Sequence, residues 1–127
     1  MAGYSGTPLP RKLGIKDDSR VLAVGMPAGL DVGLVDERPD GLPYDVILIF
    51  CPDEATLRAE FPSAAGRLVK NGGLWVCWPK RSSGVPTDLS ENPIRDYGLS
   101  MGLVDNKVAA VDQTWSALRF VYRVADR

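Results

Sequence analysis

Apolar residues in this chain occur in short runs that polar and glycine-rich segments separate. The runs "RVLAVG", "YDVILIFCP" and "GLWVCW" are continuous and rich in β-branched and aromatic residues, which is typical of strands buried on both faces. Near the end, "VDNKVAAV" and "WSALRFVYRV" are separated only by "DQT", a spacing that predicts an antiparallel hairpin. The pattern therefore predicts three buried strands followed by a closing hairpin.

A first helix is predicted ahead of the first buried run, in "TPLPRKLGIK". Thr7 stands as the N-cap, Pro8 as the first helical residue and Gly14 as a left-handed stop. Between residues 25 and 44, three prolines and several glycines leave one brief apolar patch. We expect a loop there, with at most one helical turn or a short strand.

A second helix is predicted in "DEATLRAEFPSAAGRLVKNGG", where apolar residues recur at helical spacing. Acidic residues stand at its start, and residues 70–72 are its expected stop. Because Pro62 has no backbone N–H, we expect it to bend or divide the helix. The next strand is expected to begin after a tight turn at Gly72 and Gly73.

A third helix is predicted between the third buried run and the hairpin. Thr87 is a candidate N-cap, and Asn92 followed by Pro93 is a competing start, since proline suits the first helical position. Gly98 or Gly102 is the expected end of this helix.

Composition restricts the classes of function. A chain of 127 residues is the usual size of one domain, and we treat it as one, with residues 1–6 as a flexible arm. The 15 basic and 16 acidic residues alternate along the chain and give a net charge of −1. No positive field is therefore available to attract nucleic acid or an anionic membrane. With no apolar run of membrane-spanning length and no signal-like start, the protein is expected to be cytoplasmic.

The sequence contains no histidine, which removes every Ser-His-Asp and Cys-His mechanism. Its two cysteines, Cys51 and Cys77, lie in apolar runs, where buried thiols behave as small hydrophobic groups. Two cysteines without histidine also cannot form a closed zinc site.

The order strand, helix, strand, helix, hairpin predicts an α/β fold with a mostly parallel sheet, right-handed crossovers and a C-terminal antiparallel hairpin. "LGIKDDSRVLAVG" resembles the lead-in and first strand of class I S-adenosylmethionine-dependent methyltransferases. "YDVILIF" with "AGRLVKNGGLWVCW" resembles their fourth strand, the next helix and their fifth strand, and the hairpin resembles their last two strands. This resemblance implies a Rossmann-like three-layer sandwich.

A second resemblance covers nearly the whole chain. "YSGTPLPRKLGIK", "WPKRSSG" and "LVDNKVAAVDQTWSALRFV" resemble a bacterial domain-of-unknown-function family of small, uncharacterised Rossmann-like proteins. That family implies a truncated methyltransferase-like fold and brings no established activity with it.

The chain departs from the methyltransferase pattern at the cofactor loop. In that family, an acidic residue late in the first strand precedes a glycine-rich loop that approaches the cofactor; here the acidic position holds Ala23. Gly25 and Gly29 keep two of the glycines, Met26 follows the first, and Pro27 takes the place of the middle one. S-adenosylmethionine therefore stays a candidate cofactor with a degenerate glycine loop.

The segment between Val24 and Asp45 is too short for the two further strands and crossovers of the methyltransferases. Asp36 or Glu37 is a displaced candidate for the acidic residue that holds the cofactor ribose. Deletion of this segment predicts the parent order one, four, five, seven, six, with the first strand at an edge. Such an edge calls for a covering loop or a second copy, so a homo-oligomer is a candidate state.

Ligands of open α/β sheets bind beyond the carboxyl ends of the strands. Three strand ends are predicted to converge there, and Lys80 and Arg81 would supply positive charge next to serine hydroxyls and helix N–H groups. We predict a site for a small anionic or nucleotide-like ligand. Its candidate residues are Gly25, Met26, Gly29, Cys51, Asp53, Trp78, Lys80, Arg81, Ser82, Ser83 and Gly84.

Structural interpretations of the same residues stay open. Lys80 and Arg81 can be solvated and paired with Asp53 or Asp88, and the polar residues that follow are accounted for by helix capping. Cys51 near a helix start is a candidate thiolate nucleophile or inert packing.

A catalytic Ser-Lys pair is another alternative, with Ser82 or Ser83 as the nucleophile and a desolvated Lys80 as its base. We favour a non-catalytic binding or regulatory module. The alternatives are a small S-adenosylmethionine-dependent methyltransferase-like enzyme and an interaction protein that associates through its edge strand.

Overall fold

The computed structural model describes residues 7–127, and the predicted arm of residues 1–6 lies outside the described residues. Within this range the chain forms one five-stranded sheet with helices packed against it. No helix in the described part combines the length and apolar character needed to cross a membrane. The elements are α1 (Leu9–Lys12), β1 (Val21–Val24), β2 (Tyr44–Phe50), α2 (Glu54–Gly66), β3 (Leu68–Pro79), α3 (Glu91–Ser100), β4 (Leu103–Ala110) and β5 (Trp115–Tyr122).

The strand order is β1-β2-β3-β5-β4, the order that deletion of two strands from the methyltransferase pattern predicts. β1, β2 and β3 are parallel, whereas β5 is antiparallel to both of its neighbours. The sheet is therefore mixed, and the expectation of a mostly parallel sheet was wrong. The short connection after β4 permits only an antiparallel hairpin with β5. β5 then lies between β3 and β4 and is antiparallel to both strands. The α/β class is as predicted.

The two faces of the sheet are covered differently. On one face, α2 and α3 bury Leu57, Phe61 and Ile94 against the strands. On the other face, the short α1 and the loop after β1 supply the cover, with Leu13 and Val32 in a second core cluster. Side chains alternate along β3 between these two clusters, as expected for a strand buried on both faces.

Local capping signals specify α1. The N–H of Ile15 donates to the carbonyl of Pro10, and the N–H of Gly14 donates to Arg11, which is the Schellman arrangement. Gly14 has a φ of 74°, so the predicted left-handed stop is confirmed. The start is displaced by one residue, because Pro8 rather than Thr7 occupies the N-cap position.

The end of α2 differs from the prediction. The helix ends at Gly66 and β3 begins at Leu68, so the expected helix stop at residues 70–72 and the expected turn at Gly72 and Gly73 both lie inside a strand. The N–H of Tyr44 donates to the carbonyl of Arg67 over 2.8 Å, which draws the chain into the sheet directly after the helix. This pairing joins distant parts of the sequence, so the local spacing of apolar residues could not indicate it. The prediction from that spacing therefore placed the end of the helix too late.

Pro62 does not divide α2, which is continuous from Glu54 to Gly66. Pro62 lies on the exposed side of the helix. Water on that side can satisfy the carbonyl that loses its partner, so the helix tolerates the missing N–H.

The N-cap of α3 is Ser90, so neither Thr87 nor Asn92 begins this helix as predicted. The hydroxyl of Thr87 accepts from the N–H of Leu89 over 3.1 Å and stabilises a turn ahead of the helix. Gly102, at a φ of 92°, lies just beyond the end of the helix, as one of the two predicted stops.

A single residue of the long loop covers part of the β1 edge. The N–H of Asp36 donates to Val21, and the carbonyl of Asp36 accepts from Ala23, both over 2.9 Å. The Asp36 carboxylate accepts from the hydroxyl of Tyr44, the first residue of β2. The carboxylate of Asp36 is therefore bonded to the residue with which β2 begins, and its role as a displaced ribose-binding acid stays a prediction.

Candidate ligand-binding crevice

The parallel strands β1, β2 and β3 end at one edge of the sheet. Val24 at the end of β1 pairs with Ile49, and Phe50 at the end of β2 pairs with Cys77. The N–H of Cys51 then donates to the carbonyl of Cys77 over 2.8 Å. The geometrical basis of the predicted crevice, three strand ends at a common edge, is present.

The loop that follows the end of β1 has a backbone conformation that favours glycine. Gly25 has a φ of 71°, and a Cβ there would lie 3.3 Å from the carbonyl oxygen of Phe50. Gly29 has a φ of 88° and is exposed. Met26 is half-buried and packs against the second core cluster. The two glycines are thus explained by loop conformation.

The second strand end carries structural roles as well. Cys51 is buried, and burial raises the pKa of its thiol to about 12, so the thiol stays protonated at neutral pH. Oδ1 of Asp53 accepts from the N–H and the hydroxyl of Thr56, at 2.8 and 2.7 Å. These hydrogen bonds lower the pKa of Asp53 and make it the N-cap of α2.

A cavity of about 430 Å³ opens at the third strand end, between the end of β3 and the start of α3. Four predicted residues line it, namely Trp78, Lys80, Arg81 and Gly84. The other predicted residues do not line this cavity; they are Gly25, Met26, Gly29, Cys51, Asp53, Ser82 and Ser83.

Sequence reasoning missed several lining residues, among them Leu89, Ser90, Glu91 and Ser116. Ser90 and Glu91 were overlooked because the start of α3 was predicted elsewhere. Ser116 reaches the cavity because it pairs with Trp78 across the β3–β5 ladder. No local signal could have indicated that long-range pairing.

The side chains of the two crevice cations have no partner in the described part of the chain. The backbone N–H of Lys80 donates to Thr114 over 2.8 Å, which ties the loop to the hairpin. Among residues 7–127, the side chains of Lys80 and Arg81 make neither a hydrogen bond nor an ion pair. Asp88 accepts from the N–H of Glu54 instead. The alternative in which Lys80 and Arg81 are paired with Asp53 or Asp88 was therefore wrong.

A 3₁₀ turn at Arg81–Ser83 shapes the loop that carries these cations. The hydroxyl of Ser83 donates to the carbonyl of Lys80 over 2.7 Å and accepts from the N–H of Val85 over 3.1 Å. Gly84 follows at a φ of 76°. Because the Ser83 hydroxyl is bonded to backbone rather than to the lysine amine, this serine is a loop-forming residue.

The start of α3 contributes positive potential to the same cavity. Ser90 makes no side-chain cap to the helix, so its hydroxyl does not satisfy the N–H groups of the first turn. The Glu91 carboxylate is held by Arg95 at 2.6 Å, and Arg95 also binds Asp105 at 2.7 Å. Among the described residues that line the cavity, the one carboxylate is thus already paired with a cation of its own helix.

Comparison with known proteins found no match to a protein-family model and none to a curated protein. The described residues also contain no group of three or more His, Cys, Asp or Glu residues placed to hold a metal ion. The structure is similar to the crystal structure of the N-methyltransferase NodS from Bradyrhizobium japonicum WM9, with a TM-score of 0.53. The two sequences are 13% identical, and the match covers 80% of this chain and 84% of NodS. The similarity shows a methyltransferase-like α/β fold, and the resemblance to the small bacterial family gains no support from these comparisons.

Proposed function

We propose that this protein is a non-catalytic binding module that holds a small anionic ligand in the cavity at the end of β3. The observation that carries the proposal is the pair of cations Lys80 and Arg81, whose side chains have no partner within residues 7–127, beside the start of α3, which has no side-chain cap. Three independent sources of positive potential then converge on one concave surface. Such a surface favours a phosphate or carboxylate group.

The cavity also has the composition of a small-molecule site. Its volume of about 430 Å³ falls in the usual range for such sites. Apolar groups of Trp78, Val85 and Leu89 line it together with the polar groups. The guanidinium of Arg81 can bind phosphate or carboxylate through two parallel hydrogen bonds, and the Lys80 amine adds a point charge. An anion with an attached apolar or ring portion, as in a nucleotide, matches this lining.

The residues near the crevice support binding rather than catalysis. The sequence contains no histidine, and the Cys51 thiol is buried and protonated. The hydroxyl of Ser83 is bonded to backbone, and the carboxylate of Glu91 is paired with Arg95. None of these groups is an activated nucleophile or a free general base.

A thermal-shift titration with inorganic phosphate and a panel of nucleotides tests the proposal. We expect at least one compound to raise the melting temperature of the wild-type protein. Each charged hydrogen bond contributes about 2 kcal/mol, so the Lys80→Ala, Arg81→Ala double variant should bind at least about 100-fold more weakly.

The matched control removes two exposed arginines that do not line the cavity, in an Arg11→Ala, Arg38→Ala double variant. This control has the same change in net charge and should keep the full stabilisation. Equal stabilisation of the wild type and of the Lys80→Ala, Arg81→Ala variant would overturn the proposal.

A second candidate function is that of a small S-adenosylmethionine-dependent methyltransferase. The similarity to the N-methyltransferase NodS favours it. Against it stand Pro27 in the glycine loop and Ala23 at the acidic position of the first strand. Isothermal titration calorimetry decides: heat of binding with S-adenosylmethionine or S-adenosylhomocysteine supports an enzyme, and its absence with both compounds removes this candidate.

A further inference from the structure

A second cavity, of about 490 Å³, lies at the opposite edge of the sheet from the crevice. It is bounded by the turn after α1, the first residues of β2 and the irregular first part of β3. Arg119, in the middle of β5, lines it together with Lys16, Asp18 and Asp45. The parallel strands begin at this edge and end at the crevice. Within residues 7–127, the two cavities share no lining residue.

Arg119 is the unusual group of this cavity. Its side chain is half-buried, yet among residues 7–127 it makes no hydrogen bond and no ion pair. Two other half-buried arginines have carboxylate partners, since Arg20 binds Asp40 at 2.6 Å and Arg95 binds Asp105 at 2.7 Å. Burial and the nearby Arg127 lower the pKa of Arg119, which shows that the charged form is disfavoured there. A counter-charge from outside the chain would relieve this cost.

The position of Arg119 depends on a missing side chain. Its guanidinium lies against the backbone of Gly73 on the neighbouring strand β3. A Cβ at residue 73 would lie 2.7 Å from Cζ and Nη2 of Arg119, and closer still to Nε. Next to it, a Cβ at Gly72 would lie 2.6 Å from the carbonyl oxygen of Asp45. Glycine inside a strand weakens the strand and marks a place of close approach. Here Gly73 allows Arg119 to reach the cavity, and Gly72 allows β3 to approach the backbone of Asp45 in β2.

The charges around the cavity select the kind of ligand. Arg119 and Lys16 can bind an anionic group, whereas Asp18 and Asp45 disfavour a multiply charged anion such as phosphate. Oδ2 of Asp45 accepts from the N–H of Arg20 over 2.7 Å, which leaves Oδ1 for a ligand. The amide of Asn71 adds a neutral donor and acceptor. Two cations and two carboxylates match a ligand that carries one charge of each sign.

We propose that this cavity binds a small zwitterion of the amino-acid class. The carboxylate of the ligand binds the guanidinium of Arg119 and the amine of Lys16, and its ammonium group binds Asp45 or Asp18. The cavity is large enough to hold a side chain in addition to the two charged groups. This site is independent of the crevice at the end of β3.

The test uses the full chain and the free amino acids as probes, each at about 10 mM, a concentration suited to a weak site. Binding is measured by calorimetry and by thermal shift. We expect at least one amino acid to bind, and its N-acetyl derivative and its carboxyl amide to bind at least about 10-fold more weakly, since each lacks one charge. An N-acetyl derivative that binds as well as the free amino acid would overturn the zwitterion assignment.

Variants locate the site. Arg119→Gln should abolish binding, and Lys16→Ala should weaken it about 10-fold or more. Lys16 is exposed, so its variant keeps the proposal testable if Arg119→Gln fails to fold. The Lys80→Ala, Arg81→Ala double variant should bind the amino acid like the wild type, which separates this site from the crevice. No binding to the wild-type protein, or unchanged binding in the Lys16→Ala and Arg119→Gln variants, would overturn the proposal.

Discussion

The contact between α3 and the sheet makes a sharp prediction about Gly98. In an ordinary helix, replacing glycine by alanine stabilises the folded state by about 1 kcal/mol. In this helix the ring of Phe120, from the interior strand β5, packs directly on Gly98. A Cβ at residue 98 would lie 2.6 Å from Cδ1 and Cζ of that ring, and closer still to Cε1. We therefore expect Gly98→Ala to destabilise the protein.

The size of the destabilisation depends on how the buried ring of Phe120 would have to move. Phe120 is fully buried and packs edge-on against Phe61, with ring centroids 5.4 Å apart. Overpacking of a buried site costs about 1–3 kcal/mol, and the upper half applies because the ring has no free space. Disturbing the aromatic pair adds about 0.5–1 kcal/mol. After subtraction of about 1 kcal/mol of helix propensity, the net destabilisation is about 2 kcal/mol, or a drop of about 8 °C in melting temperature.

Equilibrium unfolding in urea, followed by tryptophan fluorescence, measures this difference. Gly66→Ala is the matched control, because Gly66 is also helical and a Cβ there would meet no atom within 4 Å. The control should be as stable as the wild type or up to about 1 kcal/mol more stable. A Gly98→Ala variant with wild-type stability would refute the packing argument, since it would mean that the ring of Phe120 moves at no cost.

Two further predictions concern titratable groups. The pKa of Asp53 is lowered by its hydrogen bonds to Thr56, so its capping contribution is complete above the ordinary pKa of 3.8 and is lost as pH falls through the lowered value. Asp53→Asn keeps a hydrogen-bond acceptor but does not titrate in this range. The urea midpoints of the wild type and the variant should therefore converge as the pH falls from about 6 to about 3. A difference in midpoint that stays constant with pH would contradict this prediction. Because Cys51 and Cys77 are buried and burial raises both pKa values, neither thiol should react with a thiol reagent in the native protein at about pH 8, and both should react in urea. Rapid modification of the native protein would show that Cys51 is accessible after all.

Short-range features of this chain could be predicted from the sequence because their causes lie within a few residues. Gly14 closes α1 by a backbone motif that spans one turn, and Asp53 begins α2 through hydrogen bonds to a residue three positions later. Continuous apolar runs predicted β1, β2 and the second half of β3, since a strand buried on both faces has no polar positions. The crevice cations Lys80 and Arg81 could also be predicted, because they come directly after the end of a predicted strand.

Long-range pairing decided the rest, because hydrogen bonds between strands join residues that no local pattern connects. The bond from Tyr44 to Arg67 started β3 earlier than helical spacing indicated, and insertion of β5 between β3 and β4 made the sheet mixed. The same insertion placed Ser116 in the crevice and set Arg119 against Gly73 in the second cavity. Local patterns in the sequence accounted for most of the elements and for the caps at Gly14 and Asp53. The lining of both cavities depended instead on which strands came to lie side by side.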